Sequence, residues 1–175
     1  MKKTVFICGL VAGLISVSLY IGLMLLGKAG DIDFEHGMLY GYTLMILGFS
    51  FIFVAVKITR DKYNGGIISF GKAFRIGLYI TLIASTVYVG VWLVDYYLFI
   101  PDFMEKYSQY ILKKLQASGA SQQELTKQTA EMARLSQMYK NPFFNAMMTY
   151  IEILPVGLVV TLISSIILKR KTITN

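Results

Sequence analysis

The chain is short of the residues that most active sites are built from. Its 175 residues include one cysteine, one histidine, one tryptophan and three prolines. A lone cysteine, Cys8, excludes an intrachain disulfide, and there is neither a CxxC pair nor a Cys/His zinc pattern. With His36 as the sole imidazole and Cys8 inside an apolar run, a Cys/His or Ser/His catalytic unit has no support. Charge is scarce too. Only 15% of residues are charged, against about a quarter in ordinary soluble domains. Hydrophobic residues make up 55%, and the mean hydropathy is +0.59. The few charges fall between long uncharged runs, an arrangement that a soluble core does not need. The chain therefore reads as one integral membrane domain, residues 1–175.

Four apolar runs, residues 4–27, 37–56, 76–100 and 143–168, are each about the length of a bilayer-spanning helix. The expected fold class is all-α, an integral membrane bundle of four transmembrane helices. The first run begins like a signal peptide, with Lys2 and Lys3 ahead of an apolar centre. It then continues to Leu26, longer than a signal core, so it is expected to be retained. Gly9, Gly13, Ala12 and Ser16 give it a close-packing face. The third run is expected to organise the bundle. Gly77, Thr81, Ser85, Tyr88, Trp92 and Asp95 recur at steps of four or three, so small and polar groups share one helix face. Ser69 is placed to N-cap this helix.

The net charge of +7 does not point to nucleic acid, because the basic residues flank the runs. Lys57, Arg60, Lys62, Lys72 and Arg75 crowd the connection between the second and third runs. Lys169, Arg170 and Lys171 close the fourth. That is the distribution of topogenic charges held at a cytoplasmic face, where they meet anionic lipid. Both termini are then cytoplasmic, and Gly65-Gly66 reads as a turn. Residues 102–141 form the longest polar segment, with Met104, Tyr107, Ile111 and Leu115 on one helix face. A break at Ser118-Gly119-Ala120 precedes a capping box, Ser121 with Glu124, and a second helix carrying Leu125, Met132, Leu135 and Tyr139. The expectation is an extracytoplasmic helical hairpin.

Two acids stand where acids are costly. Glu152 lies about 14 Å of helix beyond Phe143, on one face with Asn145 and Thr149. Pro155, further along the same run, removes the amide that would bond the carbonyl of Ile151. Asp95 lies about 9 Å of helix before Pro101, so it is expected to reach the interface more easily. The functional reading of Glu152, Asp95, Asn145, Thr149, Tyr88 and Trp92 is a proton- or cation-responsive cluster. The bland reading is an acid hydrogen-bonded to a tyrosine or to Trp92, fixing helix register. Asp31, Asp33, Glu35 and His36 invite a metal, but they lack the turn glycine and terminal Glu of a calcium loop and read as a solvated acidic turn. No metal or cofactor is expected.

Several stretches in order, FIFVAVKITRDKYNGGIISFGKAF, IASTVYVGVWLVDYYLFIPDFMEKY, SGASQQEL and YKNPFFNAMMTYIEILPVGLVVTLISSIILKRK, resemble the family of unknown function DUF4199 over residues 41–171. The resemblance implies a multi-pass bacterial membrane protein of the Bacteroidetes type and brings no catalytic residue. The leading expectation is a non-enzymatic scaffold of the inner membrane that binds a partner, another membrane protein or a second copy of itself. The alternative is a small proton- or cation-coupled transporter or sensor using Glu152 and Asp95.

Overall fold

The computed structural model describes residues 2–26 and 33–170. Asp31, Lys171 and the expected tail 172–175 lie outside the described residues, as does the end of the first run. All regular elements among the described residues are helical: α1 (Lys2–Ser16), α2 (Ser18–Leu25), α3 (Gly37–Ile58), α4 (Phe70–Val94), α5 (Phe103–Ala117), α6 (Gln122–Tyr139) and α7 (Pro142–Leu168). Single wide π turns extend α3 over Thr59–Tyr63 and α4 over Asp95–Phe99. With these turns included, three helices are long and apolar enough to cross a membrane: Gly37–Tyr63, Phe70–Phe99 and Pro142–Leu168.

The run expected as one span over residues 4–27 is instead two helices, divided at Val17. The backbone ladder persists, since Val17 N donates to Gly13 O at 3.1 Å and Ile21 N to Val17 O at 3.0 Å. The local cause is serine chemistry. Ser16 Oγ donates to Ala12 O at 2.9 Å and Ser18 Oγ to Ile15 O at 2.8 Å. Hydroxyls that bond back to carbonyls of the preceding turn bend helices.

Helices α1, α3, α4 and α7 pack on one another, with α3 and α4 each touching the other three. Small residues set the spacing. A methyl group on Gly9 would lie 2.8 Å from Ile83 Cβ, and one on Gly13 would lie 2.7 Å from Val87 Cβ. Thus α1 runs parallel to α4 at backbone contact distance, the geometry that small-xxx-small faces permit. Ala12 and Ser16 meet Gly48 of α3 from the same helix.

The polar seam expected on α4 is buried throughout: Gly77, Thr81, Ser85, Tyr88 and Trp92 all point inward, and Asp95 follows them in the π turn. Three side-chain hydrogen bonds join α4 to α7 along its length. They are Thr81 to Thr161 at 3.1 Å, Thr86 to Tyr150 at 3.0 Å and Trp92 Nε1 to Asn145 Oδ1 at 2.9 Å. Lipid tails offer helices no hydrophobic drive to associate, so such contacts and close packing carry the assembly.

Helix ends follow sequence. Ser69 accepts from Lys72 N to cap α4, and Ser121 with Glu124 forms the capping box of α6. Asn141 caps α7, whose first residue Pro142 has no amide to leave unpaired. The α5–α6 turn needs Gly119 at φ +81. Helices α5 and α6 contact each other, and α6 also touches α7. At the opposite end Ile68 and Arg170 exchange backbone hydrogen bonds of 3.0 and 2.9 Å, tying the chain after α7 to the segment before α4.

Candidate functional site

The end of the molecule bearing α5 and α6 contains a cavity of about 480 Å³. Its roof is Phe103, Met104 and Tyr107 of α5 with Leu135 and Tyr139 of α6. Its walls are Leu19, Tyr20 and Leu23 of α2, the first turns of α3 from Gly37 to Gly41, and Tyr88 and Trp92 of α4. Thr149 and Glu152 of α7 complete the lining, and Asp33 and Phe34 sit ahead of α3. The volume falls in the range of about 300–1,000 Å³ typical of small-molecule sites.

The roof stays in place because its apolar face is spent on aromatic packing. Met104 is buried with Trp92, Tyr96 and Ile100, and Phe103, Tyr107, Leu135 and Tyr139 pack against that cluster. Trp92 meets Phe103 edge-on at 5.0 Å, and Tyr20 meets Trp92 at 5.5 Å. The indole is also fixed through its N–H to Asn145 Oδ1. Asn145 is fully buried, and its Nδ2 has no partner. Thr149 Oγ1 donates to the carbonyl of Asn145 at 2.9 Å, so its hydroxyl proton is committed within α7.

The two acids part company here. Glu152 is exposed and lines the cavity, and among the described residues no hydrogen bond or ion pair reaches its carboxylate. Asp95, expected near the interface, is instead 2% exposed and absent from the cavity wall, with Oδ1 lacking a partner. The helical step accounts for its burial: Asp95 stands three residues after Trp92 on the inward face of α4, where the π turn begins and Ile100 N donates to Asp95 O at 3.0 Å. Of the expected cluster, the structure brings Glu152, Thr149, Tyr88 and Trp92 to one cavity. It places Asn145 behind the indole and leaves Asp95 apart.

Sequence reasoning missed most of the rings. Tyr20, Phe34, Phe103, Tyr107 and Tyr139 belong to four different segments, and Tyr107 and Tyr139 were read only on the apolar faces of the hairpin. Apart from the four-residue step from Phe103 to Tyr107, no spacing rule links them.

The acidic turn is self-contained. Asp33 Oδ1 accepts from the backbone of Glu35 at 2.9 Å and of His36 at 3.1 Å, and Oδ2 lies 2.9 Å from His36 Nδ1. The His36 amide first, and then its ring, hold the Asp33 carboxyl below its ordinary range. Among the described residues no three Asp, Glu, His or Cys side chains converge on one point.

The basic residues expected at the membrane surface lie at the other end, although the hairpin also carries Lys106, Lys113, Lys114, Lys127, Arg134 and Lys140. Lys57, Lys62 and Arg75 are exposed, while Arg60 and Lys72 are half-buried. Arg60 Nε binds Asp61 Oδ1 at 2.7 Å and Nη1 reaches Leu168 O at 3.5 Å, and Lys72 Nζ donates to Asn64 Oδ1 at 2.7 Å. Gly65 and Gly66, at φ +60 and +81, form the turn between them.

Apolar helices of spanning length, an aromatic cavity at one end and a basic loop at the other define a helical membrane protein with a small-molecule-sized site. A family model described as a protein of unknown function, DUF4199, matches residues 7–170, and the chain belongs to that family. Among curated proteins and solved structures, nothing matches it.

Proposed function

We propose that this protein is a non-enzymatic, four-span protein of the bacterial inner membrane that holds a small solute beneath an extracytoplasmic α5–α6 hairpin. The observation that carries this is Glu152: a carboxylate inside an apolar helix, without a partner among the described residues, opening on a cavity. An acid in that position costs at least a few kcal/mol unless it faces water or a ligand. A carboxylate kept only to fix helix register would be expected to carry a hydrogen bond to a tyrosine.

The topology counts α1 and α2 as one crossing, because the hydrogen-bond ladder runs through Val17. Since α1 is parallel to α4, Lys2 and Lys3 share an end with the basic loop and with Lys169 and Arg170. The positive-inside rule puts that end in the cytoplasm, with both termini, and the hairpin outside. Exposed lysines there meet anionic lipid, not nucleic acid.

The solute-handling reading gains over the scaffold because the hairpin's apolar residues are used as a roof. It involves Glu152 without Asp95, so a sensor or binding protein fits better than a two-carboxylate relay. An enzyme has less support: Thr149 is committed to Asn145, and among the described residues no nucleophile paired with a base lines the cavity.

The test is to fill the cavity. A side chain at Gly41, which lines it, would meet no atom within 4 Å at its Cβ. In lipid nanodiscs, a neutral naphthylamine fluorophore should quench Trp92, the single tryptophan, saturably. Gly41→Leu should weaken that binding about tenfold or more, while the thermal midpoint stays unchanged. Equal binding by both proteins sinks the proposal.

A further inference from the structure

Resting on that reading of the cavity, we infer that its ligand is an organic cation, an alkylated ammonium held by Glu152 and by aromatic walls. The first support is the charge balance. The described lining residues include two carboxylates, Asp33 and Glu152, and no Lys, Arg or His. Asp33 is engaged by His36 at 2.9 Å, whereas Glu152 has no counter-charge among the described residues. An anion entering this space would meet an uncompensated carboxylate in a region of low dielectric, where repulsion is strong. A cation supplies the missing partner.

The second support is the chemistry of the wall. Eight of the eighteen lining residues carry aromatic rings, a density that the apolar body of a ligand alone does not need. Several form a connected surface. Tyr88 and Tyr20 are 6.2 Å apart, Tyr20 and Trp92 5.5 Å, Trp92 and Phe103 5.0 Å, and Phe103 and Tyr107 6.1 Å between centroids. Ring faces carry negative quadrupole density, and clusters of them recognise quaternary ammonium groups.

This also selects among cations. A sodium or divalent ion gives up its water only to a shell of about six oxygens, which one carboxylate and a ring of aromatic carbon do not provide. No three acidic, histidine or cysteine side chains converge here among the described residues. A methylated ammonium is weakly hydrated, so little hydration is lost when it moves against rings. Trp92 is the best of the aromatic faces, and the Asn145 bond at 2.9 Å keeps its indole from turning to satisfy its own N–H elsewhere.

The experiment compares a charge with its absence at fixed shape. Choline and its uncharged isostere 3,3-dimethylbutan-1-ol are titrated into the full-length protein in nanodiscs, displacing the neutral fluorophore from the cavity. Choline should bind about tenfold or more tightly than the isostere. Glu152→Gln should lower that ratio several-fold, to the remainder that the rings alone supply, and Glu152→Asp should keep more of the preference for choline. A ratio of one in the unmodified protein overturns the inference without any variant, so a misfolded Glu152→Gln does not decide the matter. A ratio as large in Glu152→Gln as in the unmodified protein, or choline binding that survives in Gly41→Leu, also overturns it. If the fluorophore binds and Gly41→Leu expels it but choline does not compete, the cation falls and the cavity stands. If the fluorophore binds equally to both proteins, the cavity reading itself has failed.

Discussion

At the basic end of the molecule, Ile68 and Arg170 exchange two backbone hydrogen bonds, Arg60 spans Asp61 and the Leu168 carbonyl, and Lys72 reaches Asn64. At the hairpin end, Glu152 meets no partner, Asn145 Nδ2 is left unpaired, and about 480 Å³ stays open between rings. The contrast cannot come from a shortage of polar groups, since both ends have them. It lies in where they point. One end uses side chains to close the loop onto the last helix, and the other holds side chains apart around a space. Buried unpartnered atoms occur at both ends, Thr59 Oγ1 at the basic one and Asp95 Oδ1 and Asn145 Nδ2 at the other, so it is the open space lined by Glu152 and rings that marks the end where a ligand is expected.

If the closed seam and the open cavity truly differ, glycines in the two should respond in opposite ways. Gly13 faces α4, and a side chain there starts 2.7 Å from Val87 Cβ and 3.0 Å from the Ala84 carbonyl. Gly13→Leu should cost about 3 kcal/mol or more, because neither neighbour can retreat without shifting a helix. Gly41→Leu, on the cavity wall, should change stability by less than about 0.5 kcal/mol. Unfolding of both variants in the same nanodiscs measures this. Comparable destabilisation would erase the distinction between the two regions.

A smaller effect tests how the cavity wall is held. Asn145→Leu leaves the Trp92 N–H buried without an acceptor, which should cost about 1–2 kcal/mol. Adding Trp92→Phe removes the donor as well, so the double variant should lose less than the sum of the two single changes. Strict additivity in that cycle would mean the hydrogen bond contributes nothing to holding the indole.

The same contrast explains what could be read from the sequence. The α4 seam was legible because helical period is a local property: Gly77, Thr81, Ser85, Tyr88 and Trp92 sit four or three apart, and all are buried. The caps at Ser69 and Ser121 were legible for the same reason. Glu152 could be singled out by cost alone, since an acid inside an apolar run needs an explanation. The division of the first run at Val17 was not foreseen, because it depends on which carbonyls two serine hydroxyls choose. Asp95 belongs to the same inward face, three residues after Trp92, and rise per residue spoke only to its depth along the helix, not to its burial among helices. The cavity itself was out of reach. Its rings come from α2, α3, α4, α5, α6 and the turn before α3, and only tertiary packing brings them together.

The weakest expected effect concerns the roof. In the α6 capping box, Glu124 Oε2 accepts from Ser121 N and Ser121 Oγ, each at 2.8 Å. The Ser121 amide first, and then its hydroxyl, hold the Glu124 carboxyl below its ordinary range. A carboxyl whose folded value is lowered contributes stability that is complete above its unfolded value, about pH 4.3, and is lost as pH falls through the folded one. Protection against amide exchange in the first turn of α6, with rates corrected for the intrinsic effect of pH, should therefore fall as the pH drops below about 4.3, while protection along the α4–α7 seam stays constant. Glu124→Gln should show a first turn slightly less protected at neutral pH and nearly indifferent to acid. If the seam loosens together with α6, the roof and the membrane helices are one cooperative unit. The cavity could then open only when the whole protein gives way, and the contrast between a tied end and a yielding one would have to be given up.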